Sequence, residues 1–237
     1  MKVVILAGGK GTRLSEYTKK IPKPMVKIGG IPILSHIIKY YKSFGINEFI
    51  IASGYKHSII ENYYKKRKDI NIKVVNTGIN SLTGKRIKLL EKFFNKNENF
   101  FLTYGDGLSN INLNELLNFH IQNKKIFTLS AVHPPARFGE LTIKRKQVSK
   151  FQEKPQLVQG WINGGFFVVN SSIFKILTKK NVMLEREPIQ KLIKKKQVVA
   201  YQHNKFWYCM DNIRDKNVLE KLIKVKKAPW IKSTWIK

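Results

Sequence analysis

The fold is decided by the stretch Val3-Val4-Ile5-Leu6-Ala7-Gly8-Gly9-Lys10-Gly11-Thr12-Arg13-Leu14. Its first half is a short apolar run of the kind that forms a buried strand, and its second half is a glycine-rich loop. Glycines after a strand let backbone N–H groups approach phosphate oxygens, and Arg13 can add a charge-assisted contact to the same anion. The spacing matches neither the P-loop nor the dinucleotide fingerprint. A plain glycine-rich turn therefore remains the alternative interpretation.

Strand and helix patterns alternate after this loop. Apolar residues recur at helical spacing over residues 33–41 and 59–64 and again from Thr83 onward, and short apolar runs at 49–52, 73–76 and 100–104 indicate strands. Such alternation predicts a doubly wound α/β fold with a mostly parallel sheet covered on both faces. In these sheets the ligand crevice lies beyond the carboxyl ends of the strands. The loops at 8–13 and 105–107 should therefore face one cleft.

The second half of the chain mixes in antiparallel signals. Two short alternating runs, 141–143 and 148–151, flank a polar turn and predict a small hairpin. We find no internal repeat and no linker, so residues 1–237 are interpreted as one domain, with halves at about 1–130 and 131–237. The stretch from Lys226 to Lys237 lacks helical period, and we expect it to pack on this domain or on a neighbouring subunit.

Composition limits the partners. Lys and Arg number 45 against 15 Asp and Glu, a net charge of +30, which normally suggests a polyanionic partner. Nucleic acid is therefore retained as an alternative, although the basic residues are spread over the whole chain and favour a solvated surface. No apolar run approaches the ~18 residues of a membrane span, and the apolar start is too short for a signal peptide. The single Cys209 can form neither an intramolecular disulfide nor a structural zinc site. These features predict a cytoplasmic protein without a membrane span.

Two aspartates follow strand-like apolar runs. Asp106 lies in Tyr104-Gly105-Asp106-Gly107, and Asp211 follows the run 207–210. A hard cation that bridges phosphates needs oxygen ligands at such places. The hypothesis is that both carboxylates bind one Mg²⁺, and the alternative is that they cap turns or helices.

A third group of polar residues could hold a sugar phosphate. Lys154, in Phe151-Gln152-Glu153-Lys154-Pro155, could bind a phosphate monoester, and Glu153 and Asn163 could hold sugar hydroxyls. Taken alone, Glu-Lys-Pro is more typical of a surface turn. The five histidines show no paired ligand spacing, and no nucleophile elbow is present, so covalent catalysis is not expected.

Taken together, these motifs resemble the nucleotidyltransferases that make nucleotide sugars, and most closely the glucose-1-phosphate cytidylyltransferases. The superfamily signature is the loop 6–14 with Ile21-Pro22-Lys23-Pro24-Met25, and the more specific motifs are Thr103-Tyr-Gly-Asp-Gly107, Pro134-Pro-Ala-Arg-Phe-Gly139, Phe151-Gln-Glu-Lys-Pro155, Ile162-Asn-Gly-Gly-Phe-Phe-Val168 and Lys227-Ala-Pro-Trp230. The resemblance covers almost the whole chain. It implies a Rossmann-like fold with a nucleotide-binding half at about 1–130 and a small antiparallel sugar-binding part within about 131–237.

The resemblance also assigns roles to individual positions. The implied nucleotide-binding residues are Leu6, Ala7, Gly8, Gly9, Gly11, Thr12, Arg13, Lys23, Arg86 and Gly105, and the implied metal ligands are Asp106 and Asp211. The implied sugar-phosphate residues are Glu153, Lys154, Asn163 and Gly164. Arg13 and Lys23 would be the catalytic cations, and the implied cofactor is Mg²⁺.

The implied reaction transfers a cytidylyl group from CTP to glucose 1-phosphate and releases pyrophosphate. Relatives that use UTP, dTTP or GTP share the glycine loop and remain alternatives. The segment between Tyr64 and Thr77 is much shorter than is typical of the resembled family. A homo-oligomer is expected, but this segment leaves its form and the base specificity open.

Overall fold

The computed structural model describes residues 1–67, 69–135, 140–152 and 160–231. In chain order, the strands of this part are β1 (Lys2–Ala7), β2 (Lys27–Ile28), β3 (Ile31–Pro32), β4 (Glu48–Ser53), β5 (Asn71–Asn76), β6 (Asn99–Tyr104), β7 (Gly107–Ser109), β8 (Phe127–Val132), β9 (Glu140–Lys144), β10 (Gln147–Gln152), β11 (Ile162–Asn170), β12 (Val198–His203) and β13 (Trp207–Cys209). The α-helices are α1 (Ser15–Thr18), α2 (Ile33–Lys42), α3 (His57–Lys65), α4 (Thr83–Lys88), α5 (Leu113–Asn123), α6 (Glu187–Lys194) and α7 (Ile213–Lys224). Within the described ranges, none of these helices is long and apolar enough to cross a membrane.

Seven of the described strands form the main sheet, in the order β12-β8-β11-β6-β1-β4-β5. The pairs β1–β4, β1–β6, β4–β5 and β12–β8 are parallel, whereas β11 runs antiparallel to both β6 and β8. The predicted mostly parallel mixed sheet is confirmed. The predicted antiparallel hairpin is also present, as β9 paired with β10.

Alternate residues of β1 enter two different cores, which explains why its sequence is apolar throughout. Val3 and Ile5 face the cluster formed by α2, α3, α5 and α7, whereas Val4 and Leu6 face the cluster formed by α4 and α6. A strand buried on both faces is expected in a parallel sheet with helices on each side. The first turn of α7 is closed by a capping box in which Asp215 and Asn212 bond each other's backbone. Asp215 therefore has a structural role at the start of α7.

The described end of the chain packs back on this domain. Trp230 is fully buried, its ring stacks on Phe206, and its indole N–H donates to Nδ1 of His36 at 3.2 Å. His36 Nε2 lies 2.8 Å from the Ile28 carbonyl oxygen, and burial lowers the pKa of this histidine. A neutral ring that accepts at Nδ1 and donates at Nε2 satisfies both contacts. The tail thus attaches to α2, one of the first elements of the chain.

Candidate active site

The glycine loop after β1 is held between the two neighbouring strand ends. Tyr55 N donates to the Gly8 carbonyl at 3.1 Å, and Gly105 N donates to the Leu6 carbonyl at 3.0 Å. Gly11 has φ +64°, and a Cβ there would lie 2.8 Å from Lys23 Cβ. A glycine is thus needed at this turn, because its φ is positive and because a Cβ would lie too close to the Lys23 side chain. The loop places its backbone at the carboxyl edge of the sheet, where the sequence predicted the cleft.

Arg86 lies beneath this loop rather than on the surface. Its guanidinium is buried and donates to Gly8 O at 2.8 Å, Thr77 Oγ1 at 2.6 Å and Ser53 O at 3.1 Å. All three acceptors are uncharged, and burial lowers the pKa of Arg86. Gly8 and Gly54 leave room for the guanidinium, since a Cβ on either would lie within 2.5 Å of Nη1. The arginine therefore supports the loop and places a positive charge under it.

The two predicted metal ligands meet across the cleft. Asp106 follows β6 and Asp211 follows β13, and Lys23 Nζ lies 2.5 Å from Asp106 Oδ2 and 2.8 Å from Asp211 Oδ1. Arg13 Nη1 lies 2.8 Å from Asp211 Oδ2. Burial opposes the charge on Lys23, but Asp106 and its other acidic neighbours outweigh it and raise the pKa of Lys23 overall. The ammonium group of Lys23 thus lies where both carboxylates attract a cation.

The residues present fit a divalent cation. Asp106, Asp211 and Cys209 each offer one ligand atom, and these atoms lie within 4.8 Å of one another. Two carboxylates provide the oxygen ligands that a hard cation prefers. Burial raises the pKa of the Cys209 thiol, and the two aspartates reinforce that effect. A neutral thiol adds no charge to the site, so the carboxylates determine its preference.

The side of the cleft predicted to hold the sugar is built at the start of β11. Asn163 Oδ1 accepts from Gly165 N at 2.9 Å, and Trp207 Nε1 donates to the Gly164 carbonyl at 2.6 Å. Gly164 is tightly packed, because a Cβ there would lie 2.7 Å from Ser130 Oγ. The Asn163 side chain is exposed to the cleft and fixed at one end. The predicted residues Glu153 and Lys154 lie outside the described residues.

One cavity of about 520 Å³ connects these parts, a size typical of small-molecule sites. Of the predicted site residues, it is lined by Leu6, Ala7, Gly8, Gly9, Gly11, Arg13, Lys23, Arg86, Gly105, Asp106, Asn163, Gly164 and Asp211. Thr12 lies in the same loop, at the start of a 3₁₀ turn, and is not among the lining residues. The structure therefore brings the predicted phosphate, metal and sugar residues of the described chain together.

Sequence reasoning missed several residues of the cavity wall. These are Ser81, Leu82, Thr83, Tyr104, Met183, Trp207 and Cys209. Trp207 and Cys209 lie within the run that precedes Asp211, so the strand alternation of 207–209 could have indicated that both face the cleft. Met183 carries no such signal, because it lies in a loop with no strand or helix pattern.

Comparison with known proteins is consistent with this geometry. The model of the Nucleotidyl transferase family matches residues 2–218. Among curated proteins, the chain is 42% identical over 258 aligned positions to the glucose-1-phosphate cytidylyltransferase of Salmonella typhimurium, covering 99% of this chain and 100% of that protein. It is 40% identical to the probable glucose-1-phosphate cytidylyltransferase of Bacillus subtilis, covering 93% and 94% of the two chains.

Solved structures show the same fold. A putative glucose-1-phosphate thymidylyltransferase from Bacillus anthracis superposes with a TM-score of 0.74 at 19% identity, over 98% of this chain and 96% of that one. The inositol-1-phosphate CTP transferase of T. maritima gives 0.71 at 17% identity, over 95% and 96%. The fold and the cleft define a nucleotide-binding transferase of the α/β class. The chain belongs to the Nucleotidyl transferase family.

Proposed function

We propose that this enzyme transfers a cytidylyl group from CTP to glucose 1-phosphate, giving CDP-glucose and pyrophosphate. The observation that carries the proposal is the single cleft in which the glycine loop faces the pair Asp106 and Asp211. Full-length similarity to glucose-1-phosphate cytidylyltransferases supports the choice of both substrates. The proposed reaction is a direct in-line displacement, in which an oxygen of the sugar phosphate attacks the α-phosphorus of the triphosphate.

The chain's own residues act mainly by positioning and by neutralising charge. The N–H groups of the loop around Gly9 face the phosphates, and the buried Arg86 beneath them adds positive potential. Arg13 is 73% exposed at the cleft, so its guanidinium can follow the charge that develops on the leaving pyrophosphate. Lys23 stabilises the α-phosphoryl oxygens. Since the attacking phosphate oxygen is already anionic at neutral pH, no general base is needed.

Asp106 and Asp211 would hold the Mg²⁺ ion. The ion supplies a Lewis acid and a template for the reacting phosphates. Before substrates bind, the ammonium of Lys23 and the guanidinium of Arg13 together balance the charge of these two carboxylates. Lys23 therefore keeps the acidic pair together in the free enzyme and is available to phosphate oxygens when they enter the cleft.

The reaction is tested by mixing protein, Mg²⁺, each nucleoside triphosphate and each hexose 1-phosphate, and measuring pyrophosphate release. Discrimination of cytosine from uracil depends on hydrogen bonds at the exocyclic group, which reject a wrong partner because buried polar groups are left unpaired. We expect CTP to be preferred over UTP by at least about tenfold, which requires ~1.4 kcal/mol. Equal use of both, or a preference for dTTP, would overturn the cytidylyl assignment and leave the reaction class intact.

We also propose that the enzyme works in the cytoplasm as a homo-oligomer. The β9–β10 hairpin supports an assembly of copies, because Leu141 pairs with Phe151 and Ile143 with Val148 on its surface, and all four side chains are more than half exposed. Cross-strand apolar pairs of this kind are normally covered. Sedimentation velocity over a range of concentrations tests the assembly, and a monomer at all of them would contradict it.

A further inference from the structure

Glu185 is an acidic residue that is not among the predicted site residues. It lies just before α6, after the buried Leu184, and is itself half-buried. Its Oε1 accepts a hydrogen bond from the Tyr104 hydroxyl, and its Oε2 accepts one from Thr83 Oγ1 at 2.6 Å. Tyr104 and Thr83 both line the catalytic cleft. One carboxylate behind the cleft wall therefore holds two side chains of that wall.

The contact with Tyr104 fixes the direction of a hydrogen-bond chain. A carboxylate accepts hydrogen bonds, so the Tyr104 hydroxyl donates its O–H to Glu185. Its oxygen is then left to accept, and Asn163 Nδ2 lies 3.4 Å away as the donor. At the other end of the same amide, Asn163 Oδ1 accepts from Gly165 N at 2.9 Å. The amide group of Asn163 thus has one orientation, which leaves one N–H and one lone pair for a ligand.

The contact with Thr83 ties Glu185 to the start of α4. Thr83 is the first residue of α4, the helix that carries Arg86, and its Oγ1 also accepts from Leu184 N at 2.8 Å. The backbone makes a second tie between the same two segments, since Gly84 N donates to Val182 O at 3.0 Å. Loss of Glu185 would therefore leave the start of α4 attached through its backbone. The Tyr104 hydroxyl has no comparable second acceptor among the described contacts of its side chain.

We propose that Glu185 is a positioning residue for the hexose: by accepting the hydrogen bond of the Tyr104 hydroxyl, it orients the Asn163 amide toward a hydroxyl of the sugar ring. The inference rests on the proposed function, because it takes the ligand on this side of the cleft to be a hexose 1-phosphate. In this proposal Glu185 touches no substrate and acts on the sugar through Tyr104 and Asn163. The triphosphate side is expected to be affected less, since α4 keeps its backbone ties.

The test compares Glu185→Ala with Glu187→Ala. Glu187 lies two residues further on, is more than half exposed at its side chain and pairs with Lys191, so it controls for loss of a nearby negative charge. Glu185→Ala should raise KM for glucose 1-phosphate about tenfold, the effect of losing one well-placed hydrogen bond. Its KM for CTP should change less than about threefold, which is under ~0.7 kcal/mol. Glu187→Ala should leave both constants unchanged.

A double-mutant cycle with Tyr104→Phe separates positioning from a general structural role. Tyr104→Phe keeps the ring and removes the hydroxyl, so it should raise the same KM by the same factor. Combining it with Glu185→Ala should add no further defect, because both changes break one chain of contacts. Additive effects, or equal rises in KM for both substrates, would overturn the proposal.

Calorimetric titration with glucose 1-phosphate alone distinguishes this proposal from the proposed function. Binding by the wild type and weakened binding by Glu185→Ala would support both. Equal binding by the two proteins would overturn the role of Glu185 and leave the function intact. If the wild type binds no hexose 1-phosphate either alone or with a non-hydrolysable CTP analogue and Mg²⁺ present, the proposed function is wrong and the role of Glu185 is overturned with it.

Discussion

Replacing Gly8 with alanine tests whether the buried guanidinium of Arg86 sets the shape of the glycine loop. A Cβ on Gly8 would lie 2.0 Å from Nη1 of Arg86 and 2.2 Å from its Cζ, distances that atoms in a folded protein do not adopt. The guanidinium cannot move aside freely, because Gly8 O, Ser53 O and Thr77 Oγ1 all accept hydrogen bonds from it. Either the arginine leaves these acceptors or the loop moves away from the strand.

The two responses have different costs. Hydrogen bonds from a charged donor contribute about 1.5–3 kcal/mol each, so expelling the guanidinium from these three acceptors would cost roughly 4.5–9 kcal/mol. That is a large part of the ~5–15 kcal/mol by which a domain is stable. If the loop moves instead, the free energy of unfolding changes less, and the loss appears in nucleotide affinity. In both cases Gly8→Ala damages the protein measurably.

Urea unfolding and calorimetric titration with CTP together detect either response. Gly9→Ala is the matched control for stability, since a Cβ on Gly9 would meet nothing within 4 Å. Its free energy of unfolding should remain within about 1 kcal/mol of the wild type. If Gly8→Ala unfolds like Gly9→Ala and also binds CTP like the wild type, the role given to Arg86 is refuted.

Four further outcomes are expected. Asp106→Asn and Asp211→Asn should keep the fold and each weaken Mg²⁺ binding, as measured by Mg²⁺ titration of pyrophosphate release. Loss of a residue that only hydrogen-bonds a metal ligand can cost roughly 100-fold in affinity, and loss of a ligand charge should cost more. Lys23→Ala should lower turnover more than it raises KM for the sugar phosphate, and a change in KM alone would contradict its catalytic role. Lys154→Ala should instead raise that KM, and an unchanged value would exclude the assignment. Burial lowers the pKa of His120 from 6.5 to about 4. Between these pH values the unfolded chain binds a proton that the native chain does not, so the free energy of unfolding should fall as the pH drops from 6.5 to about 4. In urea unfolding, His120→Gln should reduce this dependence of the unfolding free energy on pH.

The order of strands and helices in the first half was readable because each element carries its own periodicity. The run 3–7 is apolar throughout, and residues 33–41 keep one apolar face, so both elements were predicted close to their observed bounds. The meeting of Asp106 and Asp211 followed from a general rule for strand ends, although 105 positions separate them in the chain. The elements of the first half and the meeting of the two aspartates could therefore be predicted, because local patterns and a topological rule determine them.

The direction of β11 and the position of Arg86 could not be read in this way. An apolar run such as Phe166-Phe167-Val168-Val169 indicates burial, but it does not tell whether the strand runs parallel or antiparallel. Arg86 lies in Thr83-Gly84-Lys85-Arg86, which reads as a polar helix start, and its acceptors come from three separate segments. Its burial is a tertiary property with no local signal. The hydrogen-bond chain through Glu185 is hidden from the sequence for the same reason.

The attachment of Trp230 to His36 has a consequence for how the chain is made. During synthesis the segment of α2 leaves the ribosome almost two hundred residues before its indole partner does. Until then the apolar surface around His36 is open to water or to other nascent chains, because domains fold as units during translation. A nascent chain that ends between residues 211 and 230 therefore has an unfinished core, even though every residue of the glycine loop and both aspartates are already present.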